Sequence, residues 1–214
     1  RAPTKESGCA VLRIRDPKAT GIGRTSEHIK DVMARYMPHP KRFHQQWNKQ
    51  TGNEELYCWK PVPPSKRFVS LGVVCTTTPE DPLVESIRCV PRAWVKPVTE
   101  EVTQIWNDAG SGGRAGAIWK TNAEGMMAAA QRHTPPHETF YTLKSDEFFI
   151  NPLDDQSPAD IERASKAKFD EMAIEDPGFE FSSKFSKVWD STKSGADEES
   201  SVWRPHLPEG GVFF

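Results

Sequence analysis

The stretch Ile105-Trp106-Asn107-Asp108-Ala109-Gly110-Ser111-Gly112-Gly113-Arg114-Ala115-Gly116-Ala117-Ile118-Trp119 sets two β-branched–Trp pairs on either side of a polar, glycine-rich segment. β-Branched and aromatic residues suit a pleated surface, and glycine suits the turn between them. The stretch therefore predicts strand, hairpin loop, strand, with one indole on each arm. The same arrangement recurs twice. Trp47 is followed by Trp59 and Trp189 by Trp203, so the three gaps are 12, 13 and 14 residues. The loops NKQTGNEELYC and DSTKSGADEESSV keep the polar, Gly-containing character, and Val188 and Val202 repeat the β-branched residue before each Trp. Recurrence of this kind predicts a repeat built on strands.

Beyond the second Trp two copies still agree. Trp59-Lys60-Pro61-Val62-Pro63-Pro64 matches Trp203-Arg204-Pro205-His206-Leu207-Pro208, and apolar runs follow at 68–74 and 211–214. Proline there suits a strand start or an exposed edge, not a central ladder position. The second copy departs, with Trp119-Lys120-Thr121-Asn122-Ala123-Glu124-Gly125 reading as a different turn type. Residues 81–97 and 134–152 alternate short apolar runs with proline and charge, as consecutive short strands do. The third copy stops within its apolar run, which predicts either residues beyond Phe214 or a strand completed from elsewhere in the chain.

Two helical segments interrupt this pattern. Thr25 or Ser26 caps a stretch ending at Pro38, with Ile29, Val32, Met33 and Tyr36 on one face. Ser157, Pro158, Asp160 and Glu162 start a second helix that Pro177-Gly178 closes. The expected fold is mainly β: tandem antiparallel β repeats, sandwich- or prism-like, with two helical insertions. Its divisions are an N-terminal extension with a short helix (1–42), repeat one (43–97), repeat two (98–152), a helical insertion (153–180) and an incomplete repeat three (181–214). All six paired indoles (Trp47, Trp59, Trp106, Trp119, Trp189 and Trp203) are expected to be structural, buried in one shared core.

Composition narrows the function. Among 214 residues, 28 Lys+Arg stand against 30 Asp+Glu, a formal charge of −2, which removes the electrostatic case for nucleic-acid or anionic-membrane binding. No run approaches the roughly 20 apolar residues of a membrane-spanning helix. The N-terminus has neither an initiator Met nor an apolar signal core, so a fragment of a longer protein is expected. Cys9, Cys58, Cys75 and Cys89 form no CxxC pair, and reduced thiols in a cytosolic protein are expected.

Chemistry is sparse. His133 and His137 flank Pro135-Pro136, a poor metal arrangement, and His39 and His44 sit in a basic stretch read as a solvated linker. Gly110 to Arg114 superficially suits a phosphate loop, but the other copies lack its glycine run, so a mobile hairpin loop is expected. Paired carboxylates such as Asp154-Asp155 sit in polar loops. Nothing supplies a nucleophile, base and orienting group at interpretable spacing, so neither enzymatic activity nor a cofactor nor a metal is expected.

The words Ile105 to Gly112, Trp59 to Gly72, Ser86-Ile87-Arg88-Cys89-Val90, Trp119 to Gly125 and Phe140-Tyr141-Thr142-Leu143 occur in an order that resembles the repeats of the vacuolar protein sorting-associated proteins, in particular families thirteen and sixty-two. The resemblance covers roughly 43–150 and 181–214. It departs where a tyrosine after the Pro-rich turn is absent from repeat one and Gly211 takes its place in repeat three. It implies a non-catalytic protein-binding and targeting module of a vacuolar sorting or bridge-like lipid-transfer protein. Such a module recruits its protein to membranes through proline-containing adaptor peptides, so the chain is expected to be cytoplasmic and peripheral to organelle membranes. One site residue carries over: Asn122 matches the family's recurrent Asn. Its amide could pair with both N–H and C=O of an extended peptide. The alternative is that it caps a tight turn beside Gly125. On the peptide reading, Asn122→Ala weakens recruitment and barely changes melting. Rival functions are a carbohydrate-binding β module, using indoles as platforms, and a structural subunit completed by neighbouring protein subunits.

Overall fold

The computed structural model describes residues 9–13, 33–51, 54–144, 178–182, 184–192, 194–206 and 211–212. The regular structure of these residues is mainly β. In chain order the strands are β1 (Cys9–Arg13), β2 (Arg42–Thr51), β3 (Glu54–Val62), β4 (Phe68–Val69), β5 (Val74–Thr76), β6 (Val90–Pro91), β7 (Val95–Pro97) and β8 (Thr103–Asn107). There follow β9 (Ala117–Lys120), β10 (Met127–Ala130), β11 (Tyr141–Leu143), β12 (Gly178–Ser182), β13 (Phe185–Asp190), β14 (Ser201–Pro205) and β15 (Gly211–Val212). All strand pairs are antiparallel, and they form several small sheets, ordered β2-β3-β5, β10-β9-β8, β13-β14, β4-β6, β11-β7 and β12-β1-β15.

Each tryptophan pair lies on one hairpin, and the three hairpins share a register. Trp47 faces Cys58 across β2 and β3, Trp106 faces Ile118 across β8 and β9, and Trp189 faces Val202 across β13 and β14. In every hairpin the register shifts at the residue just before the first Trp, that is at Gln46, Ile105 and Val188. A bulge adds a residue to one strand and increases local twist. Here it re-aims each first indole toward the centre. Trp47, Trp106 and Trp189 belong to one buried cluster with Leu56, Cys58, Ile118, Ala129 and Val202. The ring centroids of Trp47 and Trp189 each lie 5.7 Å from that of Trp106, in tilted and edge-on contact.

The second indoles do not share that core, which corrects the expectation of a single one. Trp59 packs with Phe43, Tyr57 and Ile87, Trp119 with Ala117 and Ala130, and Trp203 is only partly buried. The reason is strand alternation. Each second Trp directly follows the residue opposite the first, so it must point to the other face. A further core joins Met33, Met37, Val69, Leu71, Val90, Trp94, Val95 and Leu143. Trp94, unpaired in the sequence pattern, enters it from a short 3₁₀ turn (Arg92–Trp94).

Elsewhere the local readings shift. The apolar run 68–74 is split between β4 and the start of β5, and Gly72 between them passes close to Met126 and the Met127 backbone. In 81–97 short strands alternate with 3₁₀ turns at Val84–Ser86 and Arg92–Trp94. The stretch 39–44 is no solvated linker: His39 Nδ1 lies 2.9 Å from the Ile87 carbonyl oxygen, the Cys89 N–H donates to the Pro38 carbonyl, and Phe43 is buried. Pro61 is buried opposite Phe43, beyond the last β3–β5 pair, where its missing N–H breaks no ladder. Residues 33–36 are helical and Met37 forms a bend after them, whereas the part of the expected first helix before residue 33 and all of 157–177 lie outside the described residues. The apolar start of the third tail, β15, pairs with β1, with Leu12 opposite Val212.

Candidate functional site

The turn after β9 carries Asn122. Gly125, at φ 79°, supplies the left-handed residue that closes it. Asn122 is 7% exposed. Its Nδ2 donates to the Tyr141 carbonyl at 2.9 Å, and its Oδ1 accepts from the Met126 N–H at 2.9 Å. Two residues on, the Glu124 carboxylate accepts from the Thr142 hydroxyl and, at 2.8 Å, from the Leu143 N–H. The turn thus clamps β11. These bonds are those of the turn-capping alternative, extended to a neighbouring strand. They also correct one expectation, since removing this amide must strip support from β11 and not merely from a surface.

Residues 138–141, which lead into β11, line one wall of an open groove of about 170 Å³. Gln46, Pro63, Phe68, Ser70, Phe140 and Tyr141 are among its lining residues. Arg92 stands at its side, with its guanidinium 5.1 Å from the Tyr141 ring centroid and a 2.7 Å hydrogen bond to the Tyr141 hydroxyl. Lys60 pairs with Glu138 at the edge. The lining therefore combines aromatic faces, a proline and a few polar ends. Nothing in the strand pattern announced this groove, because its walls come from segments nearly a hundred residues apart.

A second polar constellation also escaped the sequence. Lys49, in the first hairpin, reaches the second: its Nζ donates to Asp108 Oδ2 at 3.1 Å, to Ser111 Oγ at 2.6 Å and to the Gly112 carbonyl at 3.0 Å. Asp108 Oδ1 accepts from the Gly116 N–H at 2.8 Å and lies 2.7 Å from His133 Nε2. Lys49 and Asp108 are 7% and 3% exposed. Burial pushes the Asp108 carboxyl up, but His133, the Gly116 N–H and Lys49 together outweigh it and hold the group below its ordinary 3.8. The Gly110–Arg114 loop, expected to be mobile, is therefore pinned at its base. Lys49 spends its three donors inside the protein and offers none to a phosphate. Among the described residues, no group of three or more His, Cys, Asp or Glu side chains could share a metal ion.

Of the paired indoles, only Trp203 is more than marginally exposed, and the first three are 3% exposed or less. The site residues expected from the sequence thus separate: the indoles form cores, and Asn122 braces the groove wall from behind. The order of words around 119–125 and 140–143 was the one signal for this region.

Two comparisons with known proteins found a match. The model of the vacuolar protein sorting-associated protein 62 family matches residues 20–137. The match begins upstream of the residues that carried the resemblance and ends before the third hairpin. The crystal structure of GNIP1Aa from Chromobacterium piscinae is similar at a TM-score of 0.45 and 16% identity, over 73% of this chain and 33% of that one. No curated protein sequence matches the chain.

Proposed function

From its membership of the vacuolar protein sorting-associated protein 62 family, to which the chain belongs, we propose that it is a non-catalytic recognition module of a membrane-trafficking protein. It binds an extended, proline-containing adaptor segment in the groove beside β11, and that adaptor brings it to the cytoplasmic face of an organelle membrane. The observation that carries the reading is the lining of that groove, where Phe68, Phe140 and Tyr141 stand beside Pro63 and Gln46. Aromatic-lined grooves favour proline-rich peptides, because such peptides are already extended and lose little entropy on binding. At about 170 Å³ the space is small beside the roughly 300–1,000 Å³ of cofactor and drug sites, and suits one or two side chains of a longer peptide. Asn122 is a positioning residue here, through Tyr141. Among the described residues no helix is long and apolar enough to cross a membrane.

The shared bulge register supports reading the three hairpins as copies of one repeat unit around a prism-like axis marked by Trp47, Trp106 and Trp189. On this reading the repeats are the ones expected at 43–97, 98–152 and 181–214. Burial of the first indoles counts against the glycan-platform alternative, to which the partly exposed Trp203 alone among the paired indoles still offers a face.

The test is titration of proline-containing peptides from organelle-membrane adaptors, each beside its Pro→Ala counterpart, into the native protein and Phe140→Ala. We expect native binding that the Pro→Ala peptides lose, and at least a tenfold loss, about 1.4 kcal/mol, in Phe140→Ala. Equal affinity in both proteins, or no peptide bound at all, overturns the reading.

A further inference from the structure

We propose that Cys58 and Cys75 form a reversible disulfide site that locks β5 to β3 when the protein meets a small-molecule disulfide. The two residues are direct partners in the β3–β5 ladder, and their sulfurs are 3.7 Å apart. Directly opposed residues of an antiparallel pair lie about 4.5–5.5 Å apart at Cα, within the roughly 4.4–6.8 Å span of natural disulfides. With that spacing and the sulfurs already 3.7 Å apart, the bond is within reach of side-chain rotation. Both thiols are free.

The two sulfurs are unequal. Cys58 is fully buried within the tryptophan core, whereas Cys75 is partly exposed at its margin. The hydrogen bond with Cys75, and then burial, keep the Cys58 thiol protonated well above the ordinary range. Reaction thus starts at Cys75. Its thiolate attacks one sulfur of the small disulfide, whose S–S bond breaks and releases one thiolate. The Cys58 sulfur then attacks the Cys75 sulfur and displaces the second small thiol, its proton passing to that departing thiolate. The protein loses two protons and two electrons, and the small disulfide takes them up to become two thiols.

The bond would have a mechanical effect. β5 is an edge strand that meets β3 at only three residue pairs, Tyr57–Thr76, Cys58–Cys75 and Trp59–Val74, with a Trp59 Nε1 to Thr76 Oγ1 bond of 2.8 Å beside them. Residues 68–73, which lead into it, line the groove. A covalent tie at Cys75 would hold the far end of that wall to the core.

The experiment incubates the protein with oxidised glutathione, then combines unreduced peptide mapping, thiol alkylation and hydrogen exchange. The expected result is a Cys58–Cys75 linked peptide, loss of two alkylatable thiols and of two hydrogens in the intact mass, and reversal by dithiothreitol. Cys89, which burial pushes up to about 11, remains alkylatable on unfolding. Exchange at residues 74–76 slows in the oxidised native protein and not in Cys75→Ala, the partly exposed member chosen so that the core stays filled. Arrest at a glutathione adduct, linkage through Cys89, or equal slowing in Cys75→Ala overturns the proposal. None of these readouts depends on peptide binding.

Discussion

Asn122 has its amide oxygen and one amide hydrogen engaged at a largely buried position, so its loss exposes the cost of both. In Asn122→Ala the Met126 N–H and the Tyr141 carbonyl lose their partners. We expect a destabilisation of about 1–3 kcal/mol, read as a lowered midpoint in denaturant. An unchanged midpoint would return Asn122 to the surface role. The indoles differ in the same currency. Trp106 Nε1 donates to the Glu198 carbonyl at 2.9 Å, whereas Trp47 Nε1 has no hydrogen-bond partner among the described residues. Phe substitution at Trp106 should therefore cost about 1 kcal/mol more than at Trp47. Chemical denaturation of both variants checks this, and equal costs would contradict it. The tryptophans were visible in the sequence, but the partner of Trp106 was not, since Glu198 lies 92 residues away.

At the scale of elements, hairpins were legible because a turn and its flanking alternation are encoded within about a dozen residues. The bulges were not, since a register exists only between two strands. What joins hairpin one to hairpin two beyond the indoles is Lys49 on Asp108, backed by His133 and the loop backbone. Gly116 belongs to this joint: a Cβ there would run into the Trp47 ring. Because Asp108 in the folded protein titrates below its ordinary 3.8, its stabilisation is present above that value and is lost as pH falls through the depressed one. Asp108→Asn should melt below the native protein at neutral pH, where it leaves Lys49 buried beside a neutral amide. The gap should narrow as pH falls from 3.8 through the depressed value, because the unfolded chain takes up the proton first and the native carboxyl only at the lower pH. Melting curves of both proteins along a pH series decide it, and a gap constant down to acid pH would remove Asp108 from the joint.

Across the whole molecule, the three first indoles make one structural decision together. Emptying the middle position, in contact with both others, should cost about 3–5 kcal/mol. Trp106→Ala is thus expected to be largely unfolded at body temperature, seen as loss of near-ultraviolet circular dichroism and slow exchange. A variant that melts like the parent would mean that the indoles do not carry the core. The sequence by itself determined the β class, the three Trp hairpins and the family words, because alternation, turn chemistry and proline placement act between near neighbours. It also contained, unread, the rule that sends the second Trp of each pair to the opposite face. Only the tertiary structure decided that β1 meets β15, that Lys49 reaches Asp108, and that Asn122 braces β11 behind a groove. Those depend on which distant backbone groups and charges are buried together, and the free energy of burial belongs to the assembled neighbourhood and to no single stretch of chain.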